Sequence, residues 1–312
     1  MQIYLAPLQG LTDWIFREAY TEHIGSFDKT FTPFVRMQHG EFYRPSQCND
    51  LLPENNNFQK PVPQFLGNDA DSFKRFEALC LEHNYQEVNI NMGCPYPMVT
   101  GKRMGAGMLA QPSLIAPFFE AIFANSQLKI SVKTRLGLDN TEQFRALVPI
   151  FNAFPLSEII IHPRIGKQQY KGEANREAFY EYAPQLTHSV CYNGDIASRH
   201  DLEVLLAHVP TLNKVMIGRG VLSNPFLLSE LRNDEFIAEE KKKMLRNFHI
   251  KLIELCQKKY SGDVHFLKRM EELWEYHSAT FPNGHKLMKQ VKKSRTLAQY
   301  EEAVVRAINE LR

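Results

Sequence analysis

The sequence predicts an α/β chain: a (β/α)8 TIM barrel over residues 1–235 followed by a small α-helical bundle over residues 236–312. Three observations carry that prediction. Short β-branched or aromatic runs alternate with longer amphipathic stretches through most of the chain, the pattern of parallel strands joined by helical crossovers. Eight such runs fall within about 230 residues, which suits a closed barrel, and no G-x-G-x-x-G follows the first run to favour an open doubly wound sheet. After Phe236 only helical periodicity remains.

In chain order the expected strands are Ile3 to Pro7, Thr30 to Val35, Val62 to Phe65, Glu87 to Asn91, Lys129 to Arg135, Glu158 to His162, Ser189 to Asn193 and Lys214 to Ile217. Between them the spacing predicts helices at Asp13 to Glu22, Asp69 to Leu81, Pro112 to Ala124, Glu142 to Phe154, Asn175 to Tyr182 and Ser198 to Ala207, several opened by a side chain that caps free backbone N–H groups. The interval from Met37 to Gln59 is rich in Asn and Pro and reads as mostly loop. In the tail, Met244, Phe248, Leu252 and Leu255 share one helical face, as do Leu267, Met270 and Trp274, and later Leu297, Val304, Ile308 and Leu311. Breaks at Gly262 and Pro282-Asn283-Gly284 divide the tail into about four helices.

Composition bounds the function class. With 44% hydrophobic residues the 312-residue chain can bury a substantial core, and no window approaches the ~18 apolar residues that span a bilayer. The N-terminus lacks a basic and apolar leader, so a cytoplasmic protein with no membrane partner is expected. Five scattered cysteines without a C-x-x-C suggest free thiols rather than a disulfide framework, and no metal site. The net charge of +2 hides an asymmetry: from Lys241 onward sixteen Lys and Arg face eight Asp and Glu, while the body is acidic. Such a basic run is either a solvated helical face or the footprint of a polyanionic partner.

A barrel builds its site from the loops at the C-terminal ends of its strands. Those ends carry Pro7, Gln64, Asn91, Cys94, Lys133, Arg135, His162, Arg164, Asn193, Gly194, Asp195, Gly218 and Arg219, whereas barrel interiors are mostly Val, Ile and Leu. In Asn91-Met92-Gly93-Cys94-Pro95, glycine and proline stop the strand and put the thiol in a turn. An unpaired cysteine is otherwise most often a small buried hydrophobe. Asn193-Gly194-Asp195 and Gly218-Arg219-Gly220 follow the seventh and eighth strands, where barrels commonly bind phosphate through glycine-exposed backbone.

Taken together these segments resemble the tRNA-dihydrouridine synthases. The matching stretches are Ala6-Pro7-Leu8-Gln9-Gly10-Leu11-Thr12-Asp13, Asn91-Met92-Gly93-Cys94-Pro95, Lys133-Thr134-Arg135, His162-Pro163-Arg164, Asn193-Gly194-Asp195 and Ile217-Gly218-Arg219-Gly220, in the family's order. Two stretches depart from it: Pro163 and Ile165 stand where the family usually shows H-G-R-T, and Arg103 and Met104 precede Gly105-Ala106-Gly107.

The resemblance implies an FMN-binding barrel with a tRNA-binding helical domain, reducing D-loop uridines to 5,6-dihydrouridine with NADPH or NADH as reductant. It makes Cys94 the proton donor and Ala6, Pro7, Leu8, Gln64, Lys133, His162, Asn193, Gly194, Asp195, Gly218 and Arg219 the cofactor residues. Asn91, Arg135 and Arg164 are assigned to substrate. The target base must leave its stack to be reached, and exposed tail lysines such as Lys241, Lys258, Lys286, Lys289 and Lys293 become phosphate contacts. A monomer is expected. The competing readings are another FMN-dependent barrel reductase of a small unsaturated substrate, and a tRNA-binding protein that has lost catalysis.

Overall fold

The computed structural model describes residues 1–38, 41, 42 and 44–311. Among these residues the strands are β1 (Gln2–Leu5), β2 (Lys29–Thr30), β3 (Val35–Gln38), β4 (Glu41–Phe42), β5 (Gln64–Leu66), β6 (Glu87–Met92), β7 (Lys129–Gly137), β8 (Ile159–Ile165), β9 (Val190–Tyr192) and β10 (Lys214–Ile217). Their order is β2-β1-β10-β9-β8-β7-β6-β5-β3-β4, parallel throughout except for the β3–β4 hairpin. The ring closes where Phe31, one residue past β2, bridges Val62 in parallel. There Val62 N–H donates to Thr30 O at 2.8 Å and Thr32 N–H to Val62 O at 3.0 Å. Eight parallel positions therefore form the α/β barrel, and a helical unit follows it.

One expected strand is divided. Thr30 to Val35 is not continuous, because Pro33 has no N–H to contribute to a ladder. The chain resumes as β3, pairing Val35 with Phe65 and Arg36 with Leu66, and so extends the rim above β5. The Asn- and Pro-rich interval that follows holds two 3-10 turns, Pro45–Asp50 and Pro53–Asn55, each opened by its proline.

The barrel helices begin where capping side chains place them. Asp13 caps Trp14–His23, Asp69 caps Ala70–Glu82, Asn175 caps Arg176–Tyr182 and Ser198 caps Arg199–His208, each accepting a first-turn backbone N–H. In the tail, helices Ala238–Lys259, Asp263–His277, Gly284–Lys293 and Leu297–Asn309 bury the apolar stripes read from sequence. A third break, at Ser294 to Thr296, is set by Thr296, whose side chain caps the last helix.

The tail shares the barrel's core. Phe248 meets Phe16 and Tyr20 edge-on, with ring centroids 5.8 and 6.2 Å apart. Beside that contact lies a buried ion cluster. Asp13 accepts from Lys259 at 3.0 Å and from Arg269 at 3.2 Å, and Arg269 also donates to Leu11 O at 2.7 Å. The loop after β1 is thus held from both sides, by its own barrel and by two tail helices.

Candidate active site

Two adjoining cavities open at the C-terminal end of the barrel, of about 350 and about 110 Å³. Ala6, Asn193, Gly194, Asp195 and Gly218 wall the larger alone; Asn91, Cys94, Tyr96, Arg135 and Phe34 wall the smaller alone. Pro7, Leu8, Lys133, His162, Tyr170, Arg219 and Tyr276 stand on both walls.

The cysteine turn is built by amides. Asn91 Oδ1 accepts the N–H groups of Gly93 at 3.0 Å and Cys94 at 2.9 Å, while its Nδ2 donates to Gln64 Oε1 at 2.8 Å. Gln64 Nε2 in turn donates to Asn89 Oδ1 at 2.8 Å. Gly105 lets the chain fold back: Ala106 N–H reaches Cys94 O, and a Cβ on Gly105 would lie 2.7 Å from that oxygen. Cys94 packs against Leu66, Val99 and Met104 yet still faces the cavity. Burial raises its pKa against the opposing pull of a backbone hydrogen bond and of Arg135, Arg36 and Lys133, so the thiol keeps its proton at neutral pH.

Opposite stands a cationic cluster. Burial, with Arg135 nearby, lowers the Lys133 pKa to about 7. Arg164 Nη1 donates to His162 Nε2 at 2.9 Å, so that nitrogen must be an acceptor and the ring's proton sits on Nδ1. Burial and the charges of Arg135, Lys133, Arg164 and Arg219 hold the His162 pKa well below 6.5. His162 is therefore a neutral hydrogen-bond donor, Arg219 supplies positive charge, and Lys133, with its pKa at about 7, gains or loses its proton close to neutral pH.

Arg164 also donates to Gly172 O and to Asp195, and Asp195 accepts from Arg219 at 2.9 Å and from Ala174 N–H at 3.0 Å. Burial works against the Asp195 charge, but the hydrogen bonds from Arg164 and Ala174 with the charges of Arg164 and Arg219 outweigh it and lower its pKa. Its carboxylate orients the two arginines.

The glycine loops form a close-fitting cradle. A Cβ on Gly194 would fall 2.1 Å from Tyr192 Oη, one on Gly218 3.3 Å from Ala6 Cβ, and one on Gly220 2.4 Å from Ile196 O. Asn193 Nδ2 ties the loop to Met216 O at 2.8 Å. The tightly packed loops of Gly194, Gly218 and Gly220 line the cavity with Arg219 and Lys133, a wall that fits a phosphate-bearing aromatic cofactor.

The dihydrouridine synthase (Dus) family model matches residues 4–311. The chain belongs to the dihydrouridine synthase family. It is 30% identical over 232 residues to the probable tRNA-dihydrouridine synthase 2 of Bacillus subtilis (strain 168), covering 71% of this chain and 69% of that protein. It is 26% identical over 287 residues to the tRNA-dihydrouridine(16) synthase of Neisseria meningitidis serogroup B, covering 87% and 84%. Morphinone reductase superposes with a TM-score of 0.53 at 10% identity, over 76% of this chain and 86% of that one, a likeness of fold.

For this dihydrouridine synthase family member, the residues read from sequence lie around one cleft, with changes of place for Gln64 and Arg164. Gln64 is off both walls and stands behind Asn91. Arg135, assigned to substrate, lines the smaller cavity but is almost fully buried: it donates to Gly93 O at 2.9 Å, Ile165 O at 2.9 Å and Gln169 O at 2.7 Å, stapling the cysteine turn to the loop after β8. Arg164, also assigned to substrate, lines the larger cavity among the cofactor residues. Sequence reading missed Tyr170, Tyr96 and Tyr276. The Tyr170 ring carries the guanidinium groups of Arg135 and Arg219 against it, 5.4 and 5.0 Å from its centre. Tyr276 reaches the cleft from tail helix Asp263–His277, and nothing in local sequence marks it.

Among the described residues no cluster of metal-ligating side chains occurs, and no helix is long and apolar enough to cross a membrane.

Proposed function

We propose that this protein reduces uridine in the D-loop of tRNA to 5,6-dihydrouridine, holding FMN in the larger cavity and the target base in the smaller, with NADPH or NADH as reductant. The observation that carries this reading is the shared wall: Lys133, His162, Tyr170 and Tyr276 border both cavities, so two ligands bound there lie side by side.

When bound and reduced, the flavin supplies hydride to C6 of the uracil. The residues of the chain do the rest. Hydride addition at C6 puts negative charge on C5 and O4, and Cys94, protonated because it is buried, is the proposed donor to C5. Asn91 aims that thiol through its Asx turn. Lys133 and the Nδ1–H of His162 are assigned to the pyrimidine edge of the cofactor, where charge and a donated hydrogen bond favour the anionic reduced form. The loops at Gly194 and Gly218 with Arg219 are assigned to ribityl chain and phosphate, and Ala6, Pro7 and Leu8 to the ring.

The tail is assigned to the body of the tRNA. Many of its cations are already engaged, Lys242 with Glu239, Lys251 with Glu22, Lys258 with Glu254, Lys292 with Glu271 and Glu275, and Arg306 with Glu302. Lys286, Lys289 and Lys293 are exposed along one face of helix Gly284–Lys293, with no carboxylate in salt-bridge reach among the described residues. They are the proposed phosphate contacts.

Mass spectrometry of tRNA from cells lacking this protein tests the reading. Loss of dihydrouridine at a defined D-loop position, restored by the wild-type gene, is the expected result; an unchanged dihydrouridine profile overturns it.

A further inference from the structure

The segment that follows Cys94 carries an unusual surface. Tyr96 is 55% exposed and Met98 70% exposed, among the largest apolar exposures in the molecule, and Tyr96 borders the cavity of Cys94. Large apolar side chains displayed beside a polar cleft call for a partner.

The segment is rigidly presented. Tyr96 O accepts the N–H groups of Val99 at 2.8 Å and Thr100 at 2.9 Å, turning the chain through the short helix Pro97–Thr100. Val99 anchors that turn in the apolar cluster of Leu66, Cys94 and Met104. Asn68 Nδ2 then clamps the far end by donating to Lys102 O at 3.1 Å and Arg103 O at 3.0 Å. With Val99 turned inward and both ends tied, Tyr96 and Met98 are left outside.

Lys102 and Arg103 complete the surface. Both are exposed, and among the described residues neither has a carboxylate in salt-bridge reach. Arg103 adopts φ 54°, a left-handed conformation uncommon for a residue with a side chain and kept here by the Asn68 clamp. An aromatic ring and a thioether for stacking, followed within one loop by two uncompensated cations, is how proteins grip single-stranded nucleic acid: base faces on the apolar groups, phosphates on the cations.

We propose that residues 96–103 form an RNA-binding lip in which Tyr96 and Met98 stack on a base adjoining the reduced uridine while Lys102 and Arg103 take neighbouring phosphates. This rests on the functional reading above and adds a second contact surface to it, on the barrel rather than on the tail. An unstacked uridine leaves its neighbours without a stacking partner on that side, and an exposed ring beside the cavity mouth offers a replacement.

The test uses the full-length, FMN-loaded protein and an unmodified tRNA transcript. Tyr96→Ala/Met98→Ala should raise KM for tRNA about tenfold, a loss in the range of removed base stacking, with little change in the salt dependence of binding. Tyr96→Phe should keep KM within about twofold of wild type, since the ring's face is retained. Lys102→Ala/Arg103→Ala should raise KM and lower the slope of log affinity against log salt by about 1.4, the single-strand value for two phosphates. All four side chains point to solvent, so melting temperatures should be unchanged. Wild-type KM and salt slope in both double variants, with a wild-type enzyme that forms dihydrouridine, overturns the lip alone; a wild-type enzyme that forms none overturns the functional reading and the lip with it.

Discussion

Asn91 Oδ1 accepts the backbone N–H of Cys94 at 2.9 Å, and the amide that provides this oxygen is itself held by Gln64. A chain of three buried amides, Asn89, Gln64 and Asn91, thus runs through the barrel to the base of the cysteine turn. Asn91→Ala removes the acceptor for two backbone N–H groups. Stability should fall by about 1–3 kcal/mol in denaturant titration. Turnover with tRNA should fall further than flavin reduction does; equal effects on both would remove the aiming role.

Cys94→Ala should retain FMN, accept electrons from NADPH and bind tRNA, yet form dihydrouridine about a hundredfold to ten-thousandfold more slowly, the usual effect of losing a general acid. Single-turnover assays with pre-reduced enzyme measure this. A packing thiol replaced by alanine would cost some stability and leave the rate nearly intact, so near-normal single-turnover rates would refute the assignment.

Lys133 ties stability to pH in the ligand-free protein. Its folded pKa, about 7, lies below the ordinary 10.5, so between those values the unfolded chain binds the extra proton. Stability from this group therefore rises with pH across that window, and the burial penalty is complete below about pH 7. Lys133→Met should be more stable than wild type at neutral pH, with the gap closing toward pH 10.5. A pH-independent gap in chemical denaturation would show that the lysine is not desolvated in the folded state.

Asp13 couples the tail to the cleft. Asp13→Ala leaves Arg269 buried without its carboxylate, at a cost of about 3–5 kcal/mol. It also loosens the loop from Leu8 to Leu11, which lines both cavities' rims. FMN affinity, read by flavin fluorescence, should drop along with the melting temperature. Because burial is outweighed by the charges of Arg269 and Lys259, the Asp13 pKa is lowered, so the wild-type contribution is present above its ordinary 3.8 and lost as pH falls below it.

Lys286→Ala/Lys289→Ala/Lys293→Ala should weaken tRNA binding and reduce the salt slope by about two to three, whereas Lys258→Ala, which removes a cation already paired with Glu254, should change the slope little. Filter binding across a salt series distinguishes them. Equal slopes for the two variants would mean that helix Gly284–Lys293 does not face the RNA.

The barrel, the four tail helices and most of the cleft were legible in sequence because each depends on local rules. Strand runs end in Gly, Pro and polar residues, capping side chains open the helices, and the strand ends of a barrel must converge at one face. The divided second strand was not read from the sequence, in which Thr30 to Val35 reads as one run; Pro33 interrupts the ladder and the chain resumes as β3 against β5.

What the sequence alone determined was that the strand ends carry most of the cleft's side chains, Gln64 excepted. What only the tertiary structure decided was how those residues share their hydrogen bonds and what joins them from elsewhere. Arg135 and Arg164 look alike as strand-end cations, yet one staples two loops through carbonyls and the other holds His162 and Asp195. Tyr276 lies 114 residues beyond His162 and enters the cleft because Asp13, Lys259 and Arg269 fix the tail helices against the first barrel loop. A side chain's place along a strand follows from periodicity; its partners follow from distances between segments far apart in the chain, which periodicity does not encode.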